Sequence, residues 1–573
     1  MKNNTLISNI SFYSFFVKYS LMENYGFLGG FSSRIFKKFI PDIPEKNTIE
    51  FYFKTEIDKG QQATLSANIQ SFLTNSENKI AISQDLDRAI TALSLKIVSY
   101  GLDYKFQTYF KKLGINSSCY KTLLYQASNL SKHGSCQAEA FHDSLDAIHT
   151  TIKKLRKNKN IIGTSLHLTV VTKNLINYKR RIKTLLDLKN ELHTASKWDF
   201  LIADYITYNK EKNSLSKYFI AHTDLLALEI VEHTAQKGEK YVADDTKEYY
   251  TFFKKGLLGG FIIAIFTLFK ILISAHVEGT LPQAFLFSIN YALCFIIVFL
   301  VGGTIATKQP AMTASTIAKH IDKDGDLKVD SLQDIIMLLR KISRSQFISL
   351  MGNFLMALSI GTVIAIILNL ASNIEVVSTY KAIKLVNDVF PISGGALYFA
   401  AIAGVFLAIS GFISGYFDNK VKAIQLAYRI QHNSFLSRFF SQDALLNIAL
   451  VIERNLGIYA GNISLGFFLG SAFLASYILP FPVDIRHIAF SSANIGYGFV
   501  NHSFAFSTIA MAVTSVLFIG LINFIVSFSI TFLLVLKSRG VKIKKLGQVF
   551  RLSIKDFITN PLAYIVIKNT PKK

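Results

Sequence analysis

The sequence predicts an all-α protein: a cytoplasmic helical domain over residues 1–250, a six-helix transmembrane bundle over 251–540, and a basic cytoplasmic tail over 541–573. Three observations carry this. Half of the 573 residues are hydrophobic and only 17% are charged, where a water-soluble chain carries about a quarter. The charge is unevenly placed, since the first 250 residues are rich in Lys, Asp and Glu and long apolar runs begin only at Gly256. Finally, the Leu, Ile and Val of the first half recur three and four residues apart, as in LDRAITALSLKIVSYGLDYKF and TKNLINYKRRIKTLLDLKNELH. That is the period of an amphipathic helix, and no alternating strand pattern competes with it.

The N-terminal region, with few prolines (Pro41, Pro44), reads as about eight helices. Its opening 20 residues are interrupted by Ser and Asn, and no small-residue cleavage site follows. They do not read as a signal peptide, so the domain is expected to stay in the cytoplasm. Cys119, Cys136 and Cys294 lie far apart and make neither a CxxC pair nor a disulfide framework.

Beyond it, about 20 apolar residues are needed to cross ~30 Å of hydrocarbon. Spans fall at 256–275, 281–305, 347–371, 396–417, 457–479 and roughly 504–536. The stretch 488–500 is apolar but too short to cross, and reads as a half-helix or a kinked lead-in to the last span. Lys and Arg fix the orientation. The loop 306–346 holds seven, the loop 418–455 five and the tail from Lys537 ten. The three intervening loops hold none (276–280), two (372–395) and one (480–487). Six crossings with both termini inside a bacterial inner membrane follow. Lys308 marks the cytoplasmic end of the second span, and Pro310 suits the first turn of a following helix. A net charge of +24 would suggest nucleic acid in a soluble chain. Beside apolar runs it fits cytoplasmic loops drawn to anionic headgroups. The expected partners are therefore the anionic bilayer and a cytoplasmic protein docking on residues 1–250, not nucleic acid.

Several blocks resemble a known family. GEKYVADDTKEYY (238–250), ATKQPAMTA (306–314), GYFDNKV (415–421), IERNLGIYAGNISLGFFLG (452–470) and PVDIRHIAFSSANIGYG (482–498) are similar, in kind and order, to the bacterial polytopic membrane family known as site-specific recombinase (Gcr-like). The resemblance covers roughly 231–498, and its name implies DNA strand exchange. A tyrosine recombinase needs His-x-x-Arg to neutralise its transition state, yet none of the twelve histidines has Arg three residues on. A serine recombinase needs Tyr-x-Arg-x-Ser, and the nearest stretch, Tyr178 to Ile182, lacks the nucleophile.

Other constellations also favour plain readings, and no metal or cofactor is expected. DKDGDLKVDSLQ (322–333) places Asp322, Asp324 and Asp326 like a calcium loop, but has Leu327 for the turn glycine and Gln333 for the bidentate Glu. His142, Asp146 and His149 share a helix face, but seven residues rise ~10 Å, too far for one ion. Glu229, Glu232 and His233 do not repeat the Glu-x-x-His pair of a di-metal bundle.

Within the spans, Lys270 lies close enough to the outer end to snorkel, or it faces inward with a role. Asn290, Asn369, Asn462 and Asn523 sit in four spans and can bond across helices. Gly411 and Gly415, Gly457 and Gly461, and Gly466 and Gly470 are spaced four apart, which lets backbones approach in lipid. They lie in the fourth and fifth spans, expected to make the tightest contact. The segment FPVDIRHIAFSSANIGYG combines prolines with Asp484, Arg486 and His487. It reads as an outer loop closed by an Asp484–Arg486 pair. Alternatively, it is a re-entrant segment lining a cavity where Arg486 and His487 meet an anionic headgroup or solute. The function expected is a non-catalytic membrane scaffold or partner-binding protein, with a transporter or channel as the alternative and recombination only by the family name.

Overall fold

A computed structural model describes chiefly residues 73–133, 138–158, 166–211, 245–306, 329–372, 376–538 and 543–566, with residues 12, 15, 16, 69, 214 and 243 besides. The described residues are mostly helical and contain no strand. The chain divides into two compact units, residues 1–225 and 226–573.

In the first unit the described helices are α1 (Ser76–Leu102), α2 (Tyr104–Leu113), α3 (Ser118–His133), α4 (Ala138–Lys157), α5 (Leu166–Asn190) and α6 (Ala195–Glu211). Asn75 caps α1 through the amide of Glu77, and Asp103 caps α2 through those of Lys105 and Phe106. Each caps the donors that a helix N-terminus leaves unsatisfied. Apolar residues three and four apart, such as Leu86, Ile90, Leu93 and Ile97 of α1, form one stripe and are buried in a common core. The single tryptophan, Trp198, is fully buried, donates to the Leu192 carbonyl at 2.9 Å and meets Phe12 edge-on.

The second unit contains six helices long and apolar enough to cross a membrane. They are α7 (Thr246–His276), α8 (Thr280–Leu300), α9 (Val329–Ser372), α11 (Ala396–Ala423), α12 (Gln442–Ser471) and α14 (Phe506–Ser538). Between them lie two short helices, α10 (Thr379–Asn387) and α13 (Ile488–Val500), and α15 (Ile543–Thr559) follows. Several spans run past the lipid-length window. α9 has 44 residues and begins eighteen before the apolar stretch at Phe347, because hydropathy reports only the part facing hydrocarbon.

Small residues and buried amides set the packing. A Cβ on Gly256 would meet the Ser349 carbonyl at 2.5 Å, and one on Gly260 the Asn353 carbonyl at 2.6 Å. α7 and α9 therefore touch backbone to backbone and run in the same direction. Asn353 binds both: its Nδ2 donates to the carbonyls of Gly256 (2.6 Å) and Thr304 (2.9 Å), and its Oδ1 accepts from Ala306 N (3.0 Å). Gly302, at φ 79°, lets the chain turn after α8 so that Thr304 N reaches the Lys255 carbonyl. The end of the second span is thus clamped to the first and third.

Gly411 and Gly415 are buried in α11, and Gly457 and Gly461 in α12. A Cβ on Gly457 would meet Asp418 and the Ser414 carbonyl of α11. Gly466 and Gly470, by contrast, press on Ala292 and Ser288 of α8. The glycines of the fifth span therefore serve two neighbours, not the fourth span alone, because four-residue spacing reports a close approach without naming the partner. The other asparagines each donate outside their own helix: Asn290 to the Phe266 carbonyl, Asn462 to that of Phe295 and Asn369 to Asn501.

The tail is docked on the bundle. Arg340 of α9 grips Asp556 of α15 through Nε (2.8 Å) and Nη2 (2.5 Å), Tyr564 donates to the same carboxylate (2.8 Å), and Arg344 donates to the Ala563 carbonyl. The Arg340 hydrogen bond holds the Asp556 carboxyl below its ordinary value of 3.8. A depressed acid stabilises above its unfolded pKa and loses that contribution as pH falls through the folded one. Hydrogen exchange of residues 543–566 should therefore accelerate as pH is lowered below about 4, after correction for intrinsic rates. Asp556→Asn should exchange fast at neutral pH and show no such step.

Candidate functional site

The chain between the fifth and sixth spans re-enters the bundle. After Tyr477, residues 478–482 are exposed, and 482–487 run without helix to Ile488. The depth reached follows from partners on neighbouring helices. Ile488 N donates to Asn523 Oδ1 (3.2 Å), and Asn523 Nδ2 donates to the carbonyls of Ala400 (2.8 Å) and Arg486 (3.0 Å). Asn523 lies seventeen residues into α14, about 25 Å from that helix's start. From there α13 returns. Its C-cap Asn501 donates to the Val377 carbonyl and accepts from Asn369, at the end of the third span. Most of α13 is buried, with Gly496 against the Leu358 carbonyl of α9 and Tyr497 donating to the Ala264 carbonyl of α7.

α10 makes the matching descent. It starts beside Val377, is capped by Ser378, packs Ala382, Leu385 and Val386 against Gly498, and ends at Asp388. α10 and α13 are thus two antiparallel half-helices inside the bundle, on the side away from the basic loops.

Arg486 joins their deep ends. Its Nη1 binds Asp484 (2.5 Å), its Nη2 lies 3.5 Å from Asp388 Oδ1, its Nε donates to the Asp388 carbonyl (2.9 Å), and its guanidinium covers the Phe399 ring at 5.2 Å. The ion pair read from sequence and the re-entrant path therefore coexist. His487 is buried against Phe490, 5.8 Å between rings.

Beside Arg486 lies a partly open cavity of about 260 Å³. Lys270, Asp484, Arg486 and His487 all line it, as do Lys381, Lys384, Asp388 and Tyr291. Lys270 does not snorkel away: its ammonium sits 5.5 Å from the Phe287 ring and 5.3 Å from the Tyr291 ring, a cation–π arrangement. Lys381 Nζ reaches Ser274 Oγ at 3.4 Å. Both carboxylates lean on Arg486, and among the described residues no carboxylate pairs with Lys270, Lys381 or Lys384. The buried Tyr291 hydroxyl has Lys270 as its hydrogen-bonding neighbour.

Sequence reasoning missed Lys381, Lys384 and Asp388; the two lysines counted only as loop charges and Asp388 not at all. Their spacing of three and four places them on one helix face, a signal that was available. Lys308, residues 322–328, Glu229, Glu232, His233 and Cys136 lie outside the described residues. Asp146 is bound by Lys179 at 2.5 Å, which holds its carboxyl below the ordinary value.

A family model described as site-specific recombinase matches residues 3–566. No curated protein and no solved structure matches the chain.

Proposed function

The chain belongs to the site-specific recombinase family, and we propose that it is a non-catalytic, multi-pass protein of the bacterial inner membrane whose bundle binds a small solute or a lipid headgroup. The observation that carries this reading is the non-helical 482–487 segment deep among apolar helices, continued by a helix of only 13 residues. Irregular backbone at membrane depth persists only where protein or a water-filled cavity covers it. Broken helices of this kind mark binding sites in secondary transporters. A pure scaffold would have no use for an excess of cations lining such a cavity, four against two carboxylates. The solute-binding alternative therefore displaces the scaffold for the bundle, and docking of a cytoplasmic protein is left to the N-terminal unit. DNA strand exchange has no support, since neither recombinase constellation is present in the sequence.

Native mass spectrometry from mild detergent tests this. The protein should retain a bound molecule that Asn494→Trp, which fills the cavity, does not. Equal retention by both chains would sink the reading.

Cytoplasmic termini are part of the proposal. Gly279→Cys and Ser372→Cys should react with a membrane-impermeant thiol reagent added outside the cell, and Ser331→Cys should not. Outside labelling of Ser331→Cys would reverse the orientation.

A further inference from the structure

The cations of the cavity fall into two groups with different work. Arg486 is 13% exposed and directs its donors at Asp484, Asp388 and the Ile485 carbonyl. It is a clasp between half-helices, with little left to offer a ligand. Lys270, Lys381 and Lys384 come from the first span and α10, line the same cavity, and have no carboxylate partner among the described residues. The fully buried Tyr291 brings its hydroxyl to the wall beside Lys270, its hydrogen-bonding neighbour.

We propose that Lys270, Lys381 and Lys384, with the Tyr291 hydroxyl, form a binding site for a phosphate group, and that Arg486 and His487 are not its ligands. This rests on the reading of the cavity as a ligand site and adds its chemistry. Four cations against two carboxylates leave the cavity net positive, which favours an anion. Lysine ammoniums are compact point charges, each able to meet a different oxygen of a tetrahedral oxyanion, and lysine commonly binds phosphate in this way. The one arginine present is already forked onto protein groups. The phosphate is either free or carried by a lipid headgroup, and the cavity's volume suits the group, not a whole lipid.

The test uses the full chain carrying Asn494→Cys, a position on the cavity wall, with the wild-type chain as blank. Rates of modification by an anionic sulfonatoethyl and a cationic trimethylammonium-ethyl methanethiosulfonate are each normalised to a free thiol in solution. The anionic reagent should react about tenfold faster, as expected for a focused positive potential. Adding Lys384→Gln, or Lys381→Gln with Lys384→Gln, should remove most of that preference. If neither reagent reaches residue 494, the cavity reading itself falls. Reaction without preference for the anionic reagent, or a preference that survives the lysine substitutions, leaves the cavity standing and overturns the phosphate site.

Two further arms separate the sources. In phosphatidylcholine nanodiscs, millimolar inorganic phosphate should slow the labelling if the anion is free. In phosphatidylglycerol nanodiscs without phosphate, labelling should already be slow if it is a headgroup. No slowing in either arm would also overturn the site.

Discussion

Gly466→Leu with Gly470→Leu is expected to abolish the folded membrane unit. A Cβ alone would stand 2.4 Å from Ala292 N and 2.3 Å from Ser288 N. Those neighbours are backbone of α8, which cannot rotate away as a side chain can. Even one methylene forced into a packed site costs about 1–3 kcal/mol. Two isobutyl groups must push the fifth span off the second, and Asn462, which donates to the Phe295 carbonyl at 3.2 Å, goes with them. Size-exclusion chromatography in mild detergent should lose its monodisperse peak. Gly547→Leu, where a Cβ meets nothing within 4 Å, is the matched control and should leave the profile unchanged. An unaltered melting temperature in the double variant would refute the close approach.

Arg486→Ala should be the next most damaging change, and through stability. It leaves Asp388 and Asp484 facing each other without their cation and removes three hydrogen bonds. Truncating one member of a buried charge pair costs roughly 2–5 kcal/mol. The carboxylates are 36% and 45% exposed, so about 2–3 kcal/mol is expected here after solvent screening. Adding Asp388→Asn and Asp484→Asn to Arg486→Ala should restore part of the loss, because the uncompensated charge then goes too. Thermal unfolding of the four chains closes the cycle. Further destabilisation by the asparagines would show that Arg486 acts by packing on Phe399 alone.

How much of this was legible beforehand depended on range. The six spans follow from composition over about 20 residues, a local property that lipid enforces. α13 stood out because 488–500 is apolar yet too short. α10 did not, since TYKAIKLVN carries two lysines and looks like any polar loop until its apolar face is buried. Asn353 and the Gly256–Gly260 pair were passed over, although the glycine spacing matches that noticed in the fifth span. Which helix each glycine meets is a tertiary fact, and spacing encodes only that something must come close. In the candidate site, Asp484, Arg486, His487 and Lys270 could be picked out as ionisable groups in an apolar setting. That Arg486 would be engaged by protein while Lys381 and Lys384 were left open required knowing where Asp388 falls.

The burial of α13 also constrains the order in which the chain is assembled. Thirteen residues do not reach across hydrocarbon, and an isolated arginine in a lipid-inserted segment is disfavoured by up to about 2.5–3.5 kcal/mol at insertion. The segment is therefore a poor candidate to enter the bilayer alone. Its neighbours lie on both sides in the chain: Ala264 and Leu358 were synthesised before it, and Asn523 comes after. Beyond Asp484 in its own segment, Arg486 finds Asp388 and the Phe399 ring only where the earlier helices are already in place. Closure of this membrane unit is thus post-insertional, completed when the sixth span arrives and supplies Asn523.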